Sequence, residues 1–448
     1  MQSRSLLILC LLCGLLLAAR TRPSRPPETP TFNREVVRIF QQNCQNCHHA
    51  GDIAPFPLMT YQDARPYADD IQFMTERRRM PPWKPSADCS IFRGERRLAE
   101  SDIETIRRWV GAGAPEGNPA DLPEPLHFES DWELGTPDTI LKPSESFTPE
   151  AGHDVYRCYS LPAGLDQDRF VTAIDVHPGS RHEVHHVIAF IDSTAVSERL
   201  DAAEPGPGYT CFGGPGFTPT GSLGGWAPGA RAARLPEGIA ISLPKGSRVV
   251  LQVHYHPHDA QPDSDLTELG IYYARSPVRQ QLYFLPIVNN TFVLPAGEEH
   301  QTVTASLQLP YNVYLHAINV TPHMHLLGRK MKVEAISPSG ETRCLIDIED
   351  WDFNWQGTYA YDESVPLPGS TRLEVTAEYD NSSRNLRNPN QPPRDVRWGE
   401  QTTDEMCIAF VGVTLDTQAL NSTSSASWEA EWLLQTFARD MTKLRDRN

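Results

Sequence analysis

Beyond its first residues, the sequence lacks any apolar run that approaches the roughly 20 residues needed to span a bilayer. The processed chain is therefore expected to have no membrane anchor. Positive charge is also scarce, since 40 Lys and Arg stand against 57 Asp and Glu, a formal net charge of -17. This balance argues against a nucleic acid or an anionic membrane surface as the partner. No internal repeat and no low-complexity tract is present.

The one long apolar segment opens the chain. Arg4 gives a positively charged start, Leu6–Leu17 an apolar core, and Ala18 with Ala19 a small-residue exit, which is the pattern of a secretory signal peptide. Arginines and prolines follow, so the segment is too short for a membrane span. We expect residues 1–19 to be removed by cleavage near Ala19, and the mature protein to be secreted or periplasmic.

Cysteine is scarce in the remaining chain. Seven cysteines are left once Cys10 and Cys13 leave with the signal peptide, and two of these, Cys44 and Cys47, belong to a motif described below. In an oxidising compartment most of the others would pair, but an odd number cannot all pair with one another. The sequence does not identify the bonded ones among Cys89, Cys158, Cys211, Cys344 and Cys407.

The residue pattern divides the chain into a helical part and a longer β part. Residues 31–116 have helical periodicity, and the Pro-rich residues 117–125 form a predicted linker. From residue 126 onward, short β runs alternate with turn residues and lack helical crossovers. That length exceeds one sandwich, so we predict two in tandem, over 126–285 and 286–448, the second ending in a helix over Ser427–Lys443. The predicted fold class is multidomain, a small all-α domain followed by two all-β sandwiches.

The helical part contains the motif Cys44-Gln-Asn-Cys47-His48. Two thiols at this spacing can bond both vinyl groups of a haem, and the adjacent histidine can reach the iron. On its own, the motif could also be a redox dithiol or half of a zinc site. Its place in an exported, helical segment of cytochrome size favours a covalent haem c, and the segment resembles a small class I cytochrome c.

A second axial ligand is predicted in the segment Arg79-Met80-Pro81-Pro82-Trp83. Prolines fix a rigid loop that can hold a thioether on the iron, so Met80 is the predicted sixth ligand. A methionine beside prolines is also compatible with core packing, and Met59 and Met74 compete for the role.

Histidines form three clusters in the β part. The clusters are His185 with His186, His254 with His256, and His323 with His325. Residues i and i+2 of a strand point to one face, so the second and third clusters can each hold a single metal ion. The adjacent pair would point apart, and sharing a metal then needs a bend or different ring nitrogens. One cluster alone could be a polar, solvated strand face, but three in one β segment weaken that interpretation.

The ligand types favour copper. Imidazoles suit copper, zinc or iron, and imidazole together with a thioether favours copper. A thioether candidate is Met406, although by itself it would be taken as a buried core residue.

Several motifs occur in a fixed order over residues 150–415. They are Tyr156-Arg-Cys158, Val184-His185-His186, Gly225-Trp226-Ala-Pro-Gly-Ala-Arg231, Leu251-Gln-Val-His-Tyr-His256-Pro, His323-Met-His-Leu-Leu-Gly-Arg-Lys330, Glu378-Tyr379-Asp-Asn-Ser and Asp404-Glu-Met-Cys-Ile-Ala-Phe410. In this ordered set the β part resembles the copper type II, ascorbate-dependent monooxygenases, the family of dopamine β-monooxygenase and peptidylglycine α-hydroxylating monooxygenase.

The resemblance implies two copper sites, in two β-sandwiches that face each other across an open cleft. The electron-transfer copper would have three imidazole ligands, His185, His186 and His254. The copper at which oxygen is activated would have two imidazoles and a thioether, His323, His325 and Met406. His256, His258 and His182 have no ligand role in this correspondence.

The sequence departs from the peptide-amidating members at three positions. Thr321 replaces an arginine that helps to hold the substrate carboxylate, and Ile408 and Phe410 replace the asparagine and tyrosine that follow the methionine ligand. A peptide with a C-terminal glycine is therefore not the expected substrate.

One family disulfide is also expected to be absent. Cys407 keeps its position, but the position of its expected partner holds Ala377. A bond between Cys344 and Cys407 is a guess made in its place.

The function implied by the resemblance is hydroxylation of a C–H bond of a small organic substrate with O2. An external donor, an ascorbate-like reductant or a redox protein, would supply electrons, which we expect to pass through the haem to the first copper. A haem–copper electron-transfer or copper-binding protein without hydroxylase activity remains the alternative. A zinc hydrolase would need a general base, for which Glu183 and Glu378 are candidates. The sequence identifies neither the substrate nor the reductant.

Overall fold

The structure is a computed structural model that describes residues 29–128, 132–257, 260–418, 420 and 428–445. The predicted signal peptide and His258 lie outside the described residues. Within the described part, no helix is both long and apolar enough to cross a membrane.

Helices are short and mostly near the beginning of the chain. They are α1 Val37–Asn43, α2 Tyr61–Ala64, α3 Ala68–Glu76, α4 Glu100–Gly111, α5 Val196–Ala203 and α6 Trp428–Arg445. A π-helical turn, Phe32–Val36, precedes α1. The C-terminal helix predicted over Ser427–Lys443 is thus observed with slightly different ends.

The first four helices share a small aromatic core. Phe32 and Phe40 pack their rings against the fully buried Trp109, at centroid distances of 6.3 and 6.5 Å. The Trp109 indole N–H donates to the Pro115 carbonyl at 3.0 Å, and the Phe32 N–H donates to the same carbonyl at 3.0 Å, so the segment after α4 is bonded to the turn that precedes α1. The Pro-rich residues 117–125 continue along α1, where Gln41 donates to the Glu124 carbonyl at 2.7 Å.

Residues 81–97 lie between α3 and α4 and do not belong to the helical core. They run along the second sandwich, where the Ser86 N–H donates to the Asp347 carbonyl at 2.7 Å and Arg93 N–H to Ala360 at 2.8 Å. The prolines of this stretch remove backbone donors and exclude a helix. An independent all-α cytochrome c domain is therefore not evident, because part of the segment is built into the β part.

The β part contains nineteen strands among the described residues. In the first half these are β1 Thr139–Leu141, β2 Val155–Pro162, β3 Arg169–His177, β4 Val184–Asp192, β5 Tyr209–Thr210, β6 Gly221–Trp226, β7 Ile239–Leu243, β8 Arg248–Tyr255 and β9 Glu268–Tyr273. In the second half they are β10 Gln280–Asn289, β11 Val293–Leu294, β12 Gln301–Gln308, β13 Leu315–His323, β14 Gly328–Ile336, β15 Thr342–Ile348, β16 Tyr359–Leu367, β17 Arg372–Tyr379, β18 Val396–Arg397 and β19 Cys407–Leu415.

The strands pack as two sandwiches that share one long sheet. The shared sheet has the order β1-β9-β3-β7-β10-β19-β13-β16. The sheet β5-β2-β8-β4-β6 faces its first half, and β12-β17-β14-β15 faces its second half. The chain is therefore mostly β, as predicted, with a separate hydrophobic core in each sandwich.

The sandwiches meet at the parallel pairing of β7 with β10, where Ile239 lies opposite Gln280. The boundary predicted between residues 285 and 286 falls inside β10, which continues into the second sandwich by pairing with β19. Helix α6 packs on β10, with Leu433 in the core of the second sandwich and Phe437 in the apolar contact between the sandwiches.

The disulfides differ from the guess made from sequence. Cys344 pairs with Cys89, not with Cys407, because the segment that contains Cys89 lies along the edge of the second sandwich. A second disulfide joins Cys158 to Cys211 within the first sandwich. Cys407 is buried and unbonded, and Cys44 and Cys47 are free.

The Cys89–Cys344 bond gives a first prediction. Replacement of both cysteines by serine should lower the free energy of unfolding by about 2–4 kcal/mol and expose residues 81–97 to limited proteolysis, since the bond closes a loop of 255 residues. The matched control is the Cys158→Ser/Cys211→Ser variant, which should lose stability without new cleavage in that segment. Equal cleavage of both variants would contradict the assignment.

Candidate metal centre

Three histidines converge between β4 and β8. His186 lies opposite His254 in the antiparallel pairing, and a register shift between Val184 and His186 forms a bulge at His185. The bulge turns the two adjacent imidazoles toward the same point. The Nδ1 atom of His186 lies 3.1 Å from Nδ1 of His185 and 3.4 Å from Nδ1 of His254. One ligand atom from each residue lies within 4.8 Å of the others, a spacing suited to a single metal ion.

The electrostatics of this cluster, His185, His186 and His254, keep its imidazoles neutral. Burial, followed by repulsion from neighbouring histidines, lowers the pKa of His185 and His186 well below the usual value. Burial also lowers the pKa of His254, although Asp154 opposes that shift. Neutral imidazole is the form that binds a metal, so the cluster is prepared for an ion near neutral pH.

The Asp154 carboxylate contacts His254 of this cluster and helps to hold its imidazole in place. The carboxylate lies 3.4 Å from Nε2 of His254 and accepts a hydrogen bond of 2.5 Å from His256. Burial alone would raise the pKa of Asp154, but these contacts hold it well below its usual range. The ring of Tyr156 stacks on His254 at 4.2 Å. The imidazole of His254 is therefore fixed by a charge on one side and a ring on the other, as outer partners of metal ligands commonly are.

A second pair, His323 and His325, lies at the end of β13. The Nδ1 atom of His323 bonds the side-chain oxygen of Gln356 at 2.5 Å, and Nδ1 of His325 bonds the Asp404 carbonyl at 3.2 Å. Both rings thus present Nε2, in contrast to the Nδ1 atoms of the first cluster. Burial lowers the pKa of His323 to about 4 and that of His325 to about 3, so both are neutral at pH 7.

Met406 completes this second group. In the antiparallel pairing of β13 with β19, His323 lies opposite Ile408. Continued two residues past the strand ends, the register brings His325 opposite Met406. The thioether lines the same cavity as the two imidazoles, and its residue is also part of the apolar contact between the sandwiches.

A buried carboxylate that the sequence reasoning missed connects these ligands. Glu405 is completely buried and accepts backbone N–H groups from His325, Leu327 and Met406 at 2.7–3.0 Å. Burial raises the pKa of Glu405 to about 8, while the N–H donors oppose the shift. Its only sequence signal is its place directly before Met406.

The two groups of histidines are close neighbours. The ring centroids of His186 and His323 are 6.5 Å apart. Phe353, from the loop between β15 and β16, stacks on His185 at 4.5 Å and meets His325 edge-on at 5.8 Å. The structure therefore does not have an open cleft between the two groups, because the shared sheet and this loop bring them together.

The cysteine motif forms a turn at the end of α1. The N–H groups of Cys47 and His48 donate to the Cys44 carbonyl at 3.0 and 2.9 Å. The Nδ1 atom of His48 bonds the Phe56 carbonyl at 2.9 Å, which leaves Nε2 available for a ligand. Burial raises the pKa of Cys44 to about 12 and also raises that of Cys47, which disfavours a reactive dithiol. Free thiols beside an anchored imidazole are the set that covalent haem attachment requires.

Met80 and its competitors lie near this turn. Met80 is 38% exposed, so core packing does not account for it. Met59, Met74 and Met80 all line the cavity that the cysteine motif lines.

A single cavity is lined by the cysteine motif and by part of each histidine group. Its volume is about 2170 Å³, and its walls include Cys44, Cys47 and His48 at one part and His186, His323 and Met406 at another. Among the described residues that line it, neither candidate general base, Glu183 or Glu378, is found.

Ion pairs join the cysteine turn to the first sandwich. Asp52, four residues after His48, lies 3.5 Å from Arg181 and 3.4 Å from Arg231. Arg231 ends the Gly225–Arg231 motif found in the sequence. The turn is therefore held against the sandwich that contains the first cluster.

Metal stoichiometry gives a second prediction. His254→Ala should remove one of two bound metal ions per chain, whereas His256→Ala, two residues away on the same strand, should retain both. Metal analysis after dialysis of the purified variants measures this difference. An equal loss from His256→Ala would show that the three Nδ1 atoms do not define the site.

Comparisons with known proteins are consistent with a copper centre. Residues 283–432 match the family "Copper type II ascorbate-dependent monooxygenase, C-terminal domain", and this range includes His323, His325 and Met406. Among curated proteins no match is found.

Solved structures give only weak similarity. The chain is 10% identical to the major capsid protein P2 from Bacteriophage PM2, with a TM-score of 0.28, over 64% of this chain and 99% of that one. It is 10% identical to PNGF-II, with a TM-score of 0.25, over 62% and 65% of the two chains. These scores carry no argument about function. The copper monooxygenase family is supported instead by the match of residues 283–432, which span the second sandwich and only the beginning of α6.

Proposed function

We propose that the protein is an exported copper-dependent monooxygenase that hydroxylates a C–H bond of a small organic substrate with O2. The observation that carries this proposal is the pair of adjacent ligand groups in one cavity, one presenting Nδ1 atoms and the other Nε2 atoms near a thioether. The family match over residues 283–432 supports the second group as the oxygen-activating site.

The residues of the chain prepare both sites. Copper bound there would supply one-electron chemistry and activation of O2, and the Met406 thioether would favour its reduced form. Gln356 and the Asp404 carbonyl orient the imidazoles of His323 and His325, and Glu405 holds the turn that carries His325 next to Met406. Phe353 contacts one imidazole of each group, His185 and His325.

The electron entrance is proposed at the cysteine turn. Cys44 and Cys47 would hold a covalent haem c, with His48 and Met80 as axial ligands. An ascorbate-like reductant or a redox protein would reduce it, and His185, His186 and His254 would hold the copper that accepts its electrons. The shared cavity and the Asp52 ion pairs support this arrangement, since both connect the turn to the first sandwich.

Export is proposed from the signal-peptide pattern of residues 1–19. The two disulfides support an oxidising compartment, because such bonds are rare where thiols are kept reduced.

An electron-transfer or copper-binding protein would share most of these ligands. Met406 and the apolar residues beside it distinguish the two functions, since a protein that only transfers electrons needs no open oxygen site. A zinc hydrolase is less well supported, because Glu378 contacts Lys330 at 4.0 Å and lies away from the cavity.

Substitution of Met406 gives a third prediction. Met406→Leu should reduce product formation by at least about hundredfold. Loss of an outer partner of a metal ligand typically costs about 10- to 100-fold in activity, and loss of a ligand itself should cost more. Electron uptake at the first cluster should persist. Oxygen consumption and mass analysis of products measure the first effect, and the matched control is Met331→Leu, at a buried methionine of the second sandwich core that does not line the cavity. Retained product formation would favour a different oxygen site.

Removal of the two thiols gives a fourth prediction. Cys44→Ala/Cys47→Ala should abolish covalent haem and stop turnover driven by a protein donor, while bound copper is unchanged. Asn46→Ala, at an exposed position between the two cysteines that lines the same cavity, serves as the control. Unchanged turnover by the haem-free variant would show that electrons enter elsewhere.

A further inference from the structure

The cavity extends from the metal ligands into an apolar space between the sandwiches, which we call the apolar arm. It is lined by Phe190, Phe284, Ile408, Phe410, Phe437 and Met441. The first sandwich, the shared sheet and helix α6 all contribute to this wall. An apolar space next to a metal centre, with few polar groups, has the character of a small-molecule site.

One carboxylate, that of Glu400, interrupts this apolar surface. Glu400 is only 7% exposed and lines the cavity. Its Oε2 atom accepts the Gly213 N–H at 2.8 Å. Its Oε1 atom has no hydrogen bond, and its carboxylate no ion pair, with any residue that the structure describes. Burial raises the pKa of Glu400 to about 7, against the opposing effect of the Gly213 donor.

The position of this carboxylate is fixed relative to both ligand groups. The Tyr156 hydroxyl donates to the Glu400 backbone carbonyl at 2.7 Å, and the same ring stacks on His254. The loop that carries Glu400 is also bonded next to Met406, because the N–H of the preceding residue, Gly399, donates to the Glu405 carbonyl at 3.2 Å. A molecule bound at Glu400 would therefore lie beside the metal ligands.

The Oε1 atom of Glu400 is not fully enclosed by protein, so a molecule that binds in the cavity would turn it into a carboxyl oxygen shielded from water. Such a group loses its hydration, and a partner normally compensates that loss. Here the described protein supplies a donor to only one oxygen, and the apolar arm supplies none. The missing donor is the feature that a ligand can provide.

We propose that Glu400 is a substrate-binding residue, which accepts a hydrogen bond at Oε1 from the single donor group of an otherwise apolar molecule. The hydrocarbon part of that molecule would occupy the apolar arm. An amine or a hydroxyl provides the donor, whereas an ether offers none and a carboxylate would be repelled. This inference rests on the proposed function, because it assigns the substrate class to the same cavity.

The test measures binding, not turnover. Full-length, metal-loaded protein is titrated anaerobically, at a pH above the pKa of Glu400 of about 7 so that the carboxyl is ionised, with hexylamine, hexanol, hexyl methyl ether and hexanoate by calorimetry. The amine and the alcohol should bind at least about tenfold more tightly than the ether, as expected for a hydrogen bond to a buried carboxyl group, and hexanoate should not compete. Equal affinity for alcohol and ether would overturn the proposal without any variant.

Glu400→Gln tests the residue itself, since the amide keeps an acceptor for Gly213 and presents donors to the cavity. It should weaken binding of the amine at least about tenfold, because the new amide presents N–H donors to an ammonium group, whereas the alcohol and the ether, whose oxygens can accept from that amide, should not weaken in this way. The matched control is Glu133→Gln, a carboxyl on another wall of the same cavity that contacts Arg231. An unchanged affinity for the amine in Glu400→Gln, or an equal loss in Glu133→Gln, would overturn the assignment.

The two proposals fail in distinguishable ways. If donor-bearing ligands bind through Glu400 but no oxidised product ever forms, the hydroxylase function fails and the ligand site stands. If products form from substrates that lack a donor, with equal rates in wild type and Glu400→Gln, the function stands and the role of Glu400 is refuted.

Discussion

The parallel pairing of β7 with β10 joins the two sandwiches into one sheet, and the geometry of the metal centre depends on this joint. The first histidine group lies on β4 and β8, and the second at the end of β13, so each belongs to a different sandwich. A flexible connection would let the two groups separate. Hydrogen bonds across the joint and the packing of α6 on β10 instead hold the rings of His186 and His323 within 6.5 Å. The short distance between the two histidine groups is therefore set by the backbone.

Two carboxylates then position the ligands, by different means. Asp154 is charged and contacts two imidazoles, while its other oxygen accepts the Thr402 N–H at 2.7 Å, so it links the first cluster to the loop before Met406. Among the residues that the structure describes, Glu405 has no cationic partner and is held by backbone N–H donors. Burial of either group is costly, and the donors offset that cost only in one backbone arrangement. The loop that leads to Met406 is consequently specified from both sandwiches.

The sequence predicted the features that depend on local periodicity. Short β runs that alternate with turn residues indicated the β part. Because residues i and i+2 of a strand point to one face, the spacing of His323 and His325 placed them together. Features that depend on distant contacts were not predictable. The bulge at His185 arises from pairing with β8, and the Cys89–Cys344 bond joins residues 255 positions apart. Glu405 carries no periodic signal, because its role comes from backbone donors that only the folded turn brings together.

Because residues 81–97 pack along the second sandwich, the N-terminal segment is not a structurally separate domain. Its sequence resembles a separate electron carrier, which would meet its partner by diffusion. In the structure the segment is bonded to the second sandwich at Cys344, and Asp52 pairs with arginines of the first. Arg96 adds a hydrogen bond to Gly229 and lies over Trp355, the neighbour of the residue that orients His323. The N-terminal segment is thus fixed to both sandwiches, so under the proposed function an electron that enters at the cysteine turn would need no docking step.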